Sequence, residues 1–462
     1  MPRESPLNQK QKFLPTGGLS RLEQAAISLL LLGALIFGVV TECRATLTKK
    51  HNTDLGVYLA AAQAVREGGD LYSASYNFDH YMYPPFLAML LAHVVPAPVK
   101  YGVPATVAFA AAVSVWYILS LLALAWAISV LARTWLRPAP DAATPAGSGW
   151  RPIWTIRLLP VVICLHCLGR ELQLGQVDLF LLALLALVIA CAAGGRSGWA
   201  GFWLAIAICL KVMPVVLLVY PLWRRDWRWL LTCAGGMVAG LVILPMLMFG
   251  PAKTFKYTQE YSQTLVLPAL TGKVTDHSRD GELLDQNAVY NYSILGVIHN
   301  LEHLSLDRDD RPKVASLQNR HLAALIGLTL LLVTLLASGF RRQVSRTSTV
   351  LCLSMLTVVM LVISPVCQSY YFVLLIPVIM AVIAVDLRRT GTAFPGAGIL
   401  AVCAAYPIAQ AISSFSPLLR DSGLVLATVL ALWLLALKAL NQSRQTETTV
   451  EALPAAPNPL TV

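Results

Sequence analysis

Residues able to do acid–base or phosphate chemistry are sparse in this sequence, and they gather in a few places. Asp54 stands in "HNTDLGVYL", just past an apolar run long enough to cross a bilayer. An acid on a structured loop there is placed to take a proton from a hydroxyl presented at the interface, and with an ordinary pKa of about 3.9 it is ionised and ready to act as a base. The same "NTD" is also a good helix cap, and one residue can serve both ways. Lys211 interrupts the apolar stretch "GFWLAIAICLKVMPVVLLVYPLW", where a lysine is expensive and marks a polar pathway unless it snorkels from a helix end. "GRELQLGQVDLF" at 169–180 joins two apolar runs with Arg170, Glu171, Gln173, Gln176 and Asp178, more polar side chains than a tight turn requires. "DQNAVYNYS" at 285–293 is dense in amide, carboxyl and aromatic groups of the kind that bind sugars by stacking and paired hydrogen bonds, although a solvated loop has the same composition. His277 and Arg279 lie close by and are suited to a phosphate. "SPVCQSYYF" at 364–372 reads as a helix end followed by two tyrosines, a pattern shared with an interfacial aromatic belt.

These residues are carried by a chain that is 57% hydrophobic and only 13% charged over 462 residues, with its apolar residues in long blocks. That composition defines an all-α polytopic membrane protein. Blocks near 22–41, 103–132, 173–193, 229–249, 320–339, 348–365, 369–386, 393–411 and 422–440, with shorter ones at 84–97, 156–169 and 198–222, predict ten to twelve transmembrane helices in one domain over 22–440. A cytoplasmic leader occupies 1–21, and the tail at 441–462 is expected to be disordered. The net charge of +11 is explained by short basic loops around Arg224, Arg341 and Arg388, which place those loops in the cytoplasm. The 43–83 loop has four basic and four acidic residues and the 250–320 loop eight and nine, so both are expected outside. Within the first, Leu55, Tyr58, Leu59 and Ala62 share a helical face that Gly68 and Gly69 end, predicting an amphipathic helix along the outer surface. Prolines bound the short piece at 84–97 as a re-entrant helix, and Lys211 and Pro214 break 198–222 into two half-helices. Broken helices at membrane depth survive only where they are buried in protein or line a wet cavity, so the breaks point to a site.

Nine cysteines, mostly inside apolar runs, argue against a disulfide framework. "CLHC" at 164–167 has metal spacing but no second ligand pair and reads as core packing. No HxH or DxD set stands out, so no metal ligands are named and a metal requirement is left open; no other cofactor is expected, and no phosphate-binding loop or dinucleotide glycine set is present. Nucleic acid is not an expected partner, because the basic residues are divided among short loops.

The order of five short motifs resembles glycosyltransferase family 87, the membrane mannosyltransferases of the GT-C class, over about residues 20–440: "TDLGVY" after the first span, "YPPF" at 83–86, "GQVD" at 175–178, "LKVMP" before an arginine and tryptophan cluster, and "DQN" followed by "SP" and "YY". The resemblance implies a GT-C-like bundle in the cell membrane. It implies transfer of a sugar, usually mannose, from a polyprenyl-phosphate donor to a glycolipid or polysaccharide acceptor on the extracytoplasmic side, with inversion. Asp54 is then the general base. Lys211, Arg170, His277 and Arg279 are candidates to hold the carrier phosphate, and Tyr58, Tyr83, Gln176, Asp178, Gln286 and Asn287 to bind sugar or acceptor. The pattern differs at Asp178, where an asparagine is expected, and this acid is able to pair with Arg170 or Lys211. The competing class is a secondary transporter or flippase for a lipid-linked sugar, against which stand the unequal outer loops and the lack of an internal repeat. A GT-C transferase for a sugar other than mannose is the nearer alternative.

Overall fold

The computed structural model describes part of residues 32–41 and residues 54–76, 79–93, 107–136, 151–273, 285–287, 291–339 and 345–451. Most of the first expected span, and the positions of His277 and Arg279, lie outside the described residues.

Among them, seven helices are long and apolar enough to cross a membrane: Phe109–Trp135, Trp227–Phe249, Leu317–Ser338, Arg346–Ile363, Ser369–Thr390, Ala397–Phe415 and Leu424–Ser443. The difference from the expected ten to twelve lies partly in the first span and partly in helices that are apolar but short, Trp154–Ile163, Asp178–Ala193, Ser197–Leu210 and Met213–Arg224. Arg346–Ile363 and Ser369–Thr390 form the centre, each 83% buried across its apolar window, whereas Trp227–Phe249 is buried over only 17% of its own. A helix apolar all round belongs in a core, and a long apolar helix left mostly uncovered is suited to lipid. The chain is a multi-pass membrane protein.

The break expected at Lys211 is present. Ser197–Leu210 ends there because Lys211 turns to extended backbone, φ −150° and ψ 127°, and a 3-10 turn at Met213–Leu218 follows. Pro214 has no N–H to give the Leu210 carbonyl, so the helix cannot continue through it. Ser197–Leu210 packs against Trp227–Val238, with Gly201 facing the Trp229 carbonyl so closely that a Cβ would collide with it. Small residues of this kind let membrane helices approach.

The helix predicted after the first span forms as Asp54–Glu67, with Gly68 in the left-handed region at φ 70° as its stop. Leu55, Tyr58, Leu59 and Ala62 are buried, but so are Val57, Ala61 and Val65. One face of a surface helix would not hold all of them. The second face is covered by a compact aromatic assembly, including Tyr72, Tyr81 and Tyr257, and by the short Pro85–Ala92 helix. A two-residue hairpin pairs Ser75 with His80 and Tyr76 with Asp79 beside it. At the other end of the chain the last helix runs to Glu451, into the tail expected to be disordered. That segment has no glycine or proline before Pro454, and its Gln, Arg and Glu residues favour helix.

Candidate active site

Asp54 begins its helix, and its carboxylate accepts a hydrogen bond from Gln176 Nε2, 122 positions away in sequence. The amide orientation follows from its other end. Gln176 Oε1 accepts from the hydroxyl of Tyr58 at 2.7 Å and from that of Tyr83 at 3.1 Å, and the two phenol oxygens lie 3.0 Å apart. With both phenols donating to the oxygen, the NH₂ group is the one left to face Asp54. The Tyr58 and Tyr83 rings meet edge to face with centroids 5.2 Å apart, and Trp116 closes the other side of Tyr58. Two of the quoted motifs thereby become one constellation: "TDLGVY" and "YPPF" converge on "GQVD".

Local structure makes this possible. The helix Leu165–Leu174 is ended by Gly175 in the left-handed conformation, φ 65°, where a Cβ would stand 2.9 Å from that of Leu55. Glycine therefore meets two demands, the positive φ and the close approach of the Asp54 helix. The next helix, Asp178–Ala193, has no cap from its own preceding residue. Glu171 supplies one: its Oε1 accepts from the backbone N–H of Asp178 at 2.7 Å and of Leu179 at 3.3 Å. Tyr81 fixes the other strut, its hydroxyl donating to Pro84 O at 2.8 Å and accepting from Ala88 N at 3.2 Å.

Below this layer lies an ion pair. Lys211 Nζ sits 2.8 and 2.9 Å from the two carboxylate oxygens of Asp178, with side-chain exposures of 7% and 0%. The ammonium also lies over the Tyr371 ring, 3.7 Å from its centroid. A cation buried at this depth is held by its counter-ion and a π-face. The departure at Asp178 thus has a structural reading: the acid compensates the lysine.

Asp54 keeps partial exposure, so a substrate hydroxyl can reach it. Loss of water around the carboxylate raises its pKa, the neighbouring Asp79 and Asp178 charges add to this, and Lys211 and Arg170 oppose it, leaving the value at about 7 rather than 3.8. Tyr58 and Tyr83 are pushed well above the ordinary phenol value, chiefly by burial, so both remain neutral donors. The arrangement is a carboxylate of raised pKa held in a fixed orientation.

Of the other expected residues, Arg170 stands partly exposed on the helix leading into the site, bonded to Gln173 Oε1 at 3.0 Å. Gln286 and Asn287 are tied into the chain around Arg311 and Asn291. Asn287 Nδ2 donates to the Arg311 and Pro312 carbonyls at 3.0 Å each, and Gln286 Oε1 accepts from Asn291 Nδ2 at 3.1 Å. Asn291 Oδ1 in turn accepts from Cys367 N at 3.0 Å, tying that stretch to the turn before Tyr370 and Tyr371. The sequence reading noted two residues without giving them a role. Glu171 acts as a distant cap, which no local spacing reveals, and Tyr371 underlies Lys211, for which the paired tyrosines after "SP" were the one available signal. Cys164 and Cys167 are buried free thiols in the core, as expected.

A polytopic helical bundle in which Gln176 orients an acid at the head of a buried helix defines the class, a membrane protein with a polar cluster set among apolar helices. The chain belongs to glycosyltransferase family 87, whose sequence pattern matches residues 81–365. The match begins after Asp54, so the helix bearing the acid precedes it. A polyprenol-phosphate-mannose-dependent alpha-(1-2)-phosphatidylinositol mannoside mannosyltransferase of Mycobacterium tuberculosis is 25% identical over 355 residues, 74% of this chain and 73% of its own. The protein of the same description from Mycolicibacterium smegmatis is 29% identical over 198 residues, 41% of this chain and 43% of its own. Among solved structures, ArnT from Cupriavidus metallidurans bound to undecaprenyl phosphate aligns with a TM-score of 0.40 and 14% identity, covering 91% of this chain and 79% of that one. The chain is a membrane hexosyltransferase.

Proposed function

We propose that this hexosyltransferase moves a mannosyl residue from a polyprenyl-phosphate donor to a hydroxyl of a glycolipid or glycan on the extracytoplasmic face, with Asp54 as the general base. The observation that carries the reading is the Asp54 carboxylate held by Gln176 at the head of its helix, with a pKa raised to about 7. A base is most effective when its pKa lies near the working pH. The names of the two mycobacterial relatives support the donor, and the basic short loops support the sidedness.

The reaction balances with one base and no enzyme nucleophile. The acceptor O–H proton passes to Asp54, the acceptor oxygen bonds to the anomeric carbon from the face opposite the donor phosphate, and the carbon–oxygen bond to that phosphate breaks. Its electron pair leaves on polyprenyl phosphate, inverting the anomeric centre. A phosphate leaving group needs nearby positive charge rather than a protonating acid. With Lys211 committed to Asp178, Arg170 on the rim of the site is the residue we assign to that task. Gln176 then orients the base, and Tyr58 and Tyr83 orient Gln176.

The test is Asp54→Asn, which keeps a helix cap of similar quality but cannot take a proton. In detergent, with polyprenyl-phosphate mannose and a membrane glycolipid extract, the folded variant is expected to lose about 10² to 10⁴ in rate. A folded variant transferring at the wild-type rate overturns the assignment.

A further inference from the structure

The Ile294–Glu302 helix of the outer loop carries a second group of chemically capable residues at its C-terminal end. His299, Glu302 and His303 stand at i, i+3 and i+4, the spacing that brings side chains to one helical face. One ligand atom from each lies within 4.8 Å of the others, and the two imidazole centroids are 4.6 Å apart.

The protonation pattern of His299 is what makes this more than proximity. Its ring is fully buried, and its Nε2 lies 2.8 Å from the Pro312 carbonyl. A carbonyl only accepts, so Nε2 carries the proton and Nδ1 is a bare lone pair. That Nδ1 is buried and has no hydrogen-bond partner among the described residues. His303 repeats the pattern: its Nδ1 is 2.9 Å from the His299 carbonyl, which leaves the lone pair on Nε2. An imidazole donating one N–H to a backbone carbonyl and offering its other nitrogen is the way metal-bound histidines are held. The Glu302 carboxylate is anchored by the Asn319 amide and keeps 50% side-chain exposure. The nearby Arg311 charge, which would repel a cation, is met by Asp421 at 2.7 Å.

We propose that His299, Glu302 and His303 form a three-ligand site for a divalent transition ion of the zinc type. Two imidazoles and one carboxylate suit zinc rather than calcium or magnesium, and a tetrahedral site leaves a fourth position for water. Bonds of about 2.0 to 2.1 Å put ligand atoms roughly 3.4 Å apart. Closing from 4.8 Å falls to Glu302 and His303, the two side chains with exposure, around a buried His299. The ion would fasten the helix end to Pro312 and Asn319, the residues that hold its ligands from behind, and so stiffen the outer loop. It takes no part in the Asp54 chemistry.

The experiment uses the full chain in detergent, purified on a tag without histidine and stripped with chelator, then titrated with Co²⁺ and back-titrated with Zn²⁺. The wild type is expected to bind one equivalent of Co²⁺, with the intense visible bands of a tetrahedral ion, which Zn²⁺ abolishes, and to melt at a higher temperature with Zn²⁺. His303→Gln should weaken Co²⁺ binding by about 100-fold or more, because removing even an outer-shell partner costs about 10- to 100-fold. Glu302→Gln, at the exposed ligand, gives the same reading should His303→Gln fail to fold. A wild type that binds no Co²⁺, or variants that bind it as the wild type does, overturns the proposal.

Discussion

Raising the pH from 5 to 8 should increase kcat/KM about 90-fold, because a base with a pKa of about 7 is ionised to about 1% at the lower pH and about 90% at the upper. The donor is a phosphodiester with no second proton to lose, so the inflection belongs to the enzyme. Two substitutions move it in opposite directions. Asp79→Asn removes a repulsive charge and should lower it, and Arg170→Gln removes an attractive one and should raise it. The measurement is initial rate of transfer from radiolabelled polyprenyl-phosphate mannose at subsaturating acceptor across pH 4.5 to 9. A flat profile, or an inflection near 4 that ignores both substitutions, would refute the reasoning. The same value fixes the sign of a stability effect. A folded-state pKa above the unfolded one means that protonated Asp54 favours the folded state, a contribution complete below pH 3.8 and lost as pH rises through about 7. At ~1.4 kcal/mol per pH unit the ceiling is about 4 kcal/mol, reduced by the residue's partial exposure. Asp54→Asn should therefore be at least as stable as the wild type at pH 8, and lost activity there would not report unfolding.

Lys211→Met leaves Asp178 buried without its partner and should cost about 3 to 5 kcal/mol, while Lys211→Met with Asp178→Asn should recover most of it; unfolding in mixed micelles measures the cycle, and additive costs would count against the pair. Transfer activity retained by that double variant would show that Lys211 does not hold the carrier phosphate. Gln176→Leu removes the orienting amide and should lower kcat more than it raises KM, measured in the same transfer assay; an unchanged kcat would contradict its orienting role. Gly175→Ala meets both the positive φ and the Leu55 side chain, so a loss of about 1 to 2 kcal/mol from the backbone alone is expected, with reduced transfer as the Asp54 helix is displaced.

The long apolar blocks and the prolines were sufficient to place most membrane helices and the break at Lys211, because bilayer thickness and the missing proline N–H act through local sequence. Asp54, Tyr58, Tyr83 and Gln176 were legible as candidates for the same reason: each stands out as polar or aromatic beside an apolar run. Their joint role was not. Gln176 is offered by the family resemblance as a sugar-binding amide, and only the tertiary structure, which brings it across 122 positions, bonds it to the Asp54 carboxylate. The same holds for Asp178 and Lys211, 33 positions apart, whose side chains pair only once the helices pack. Burial decided these cases. Sequence lists the polar groups a membrane chain can spend, but a charge away from water must find its partner in space, and which partner it finds depends on how the helices pack.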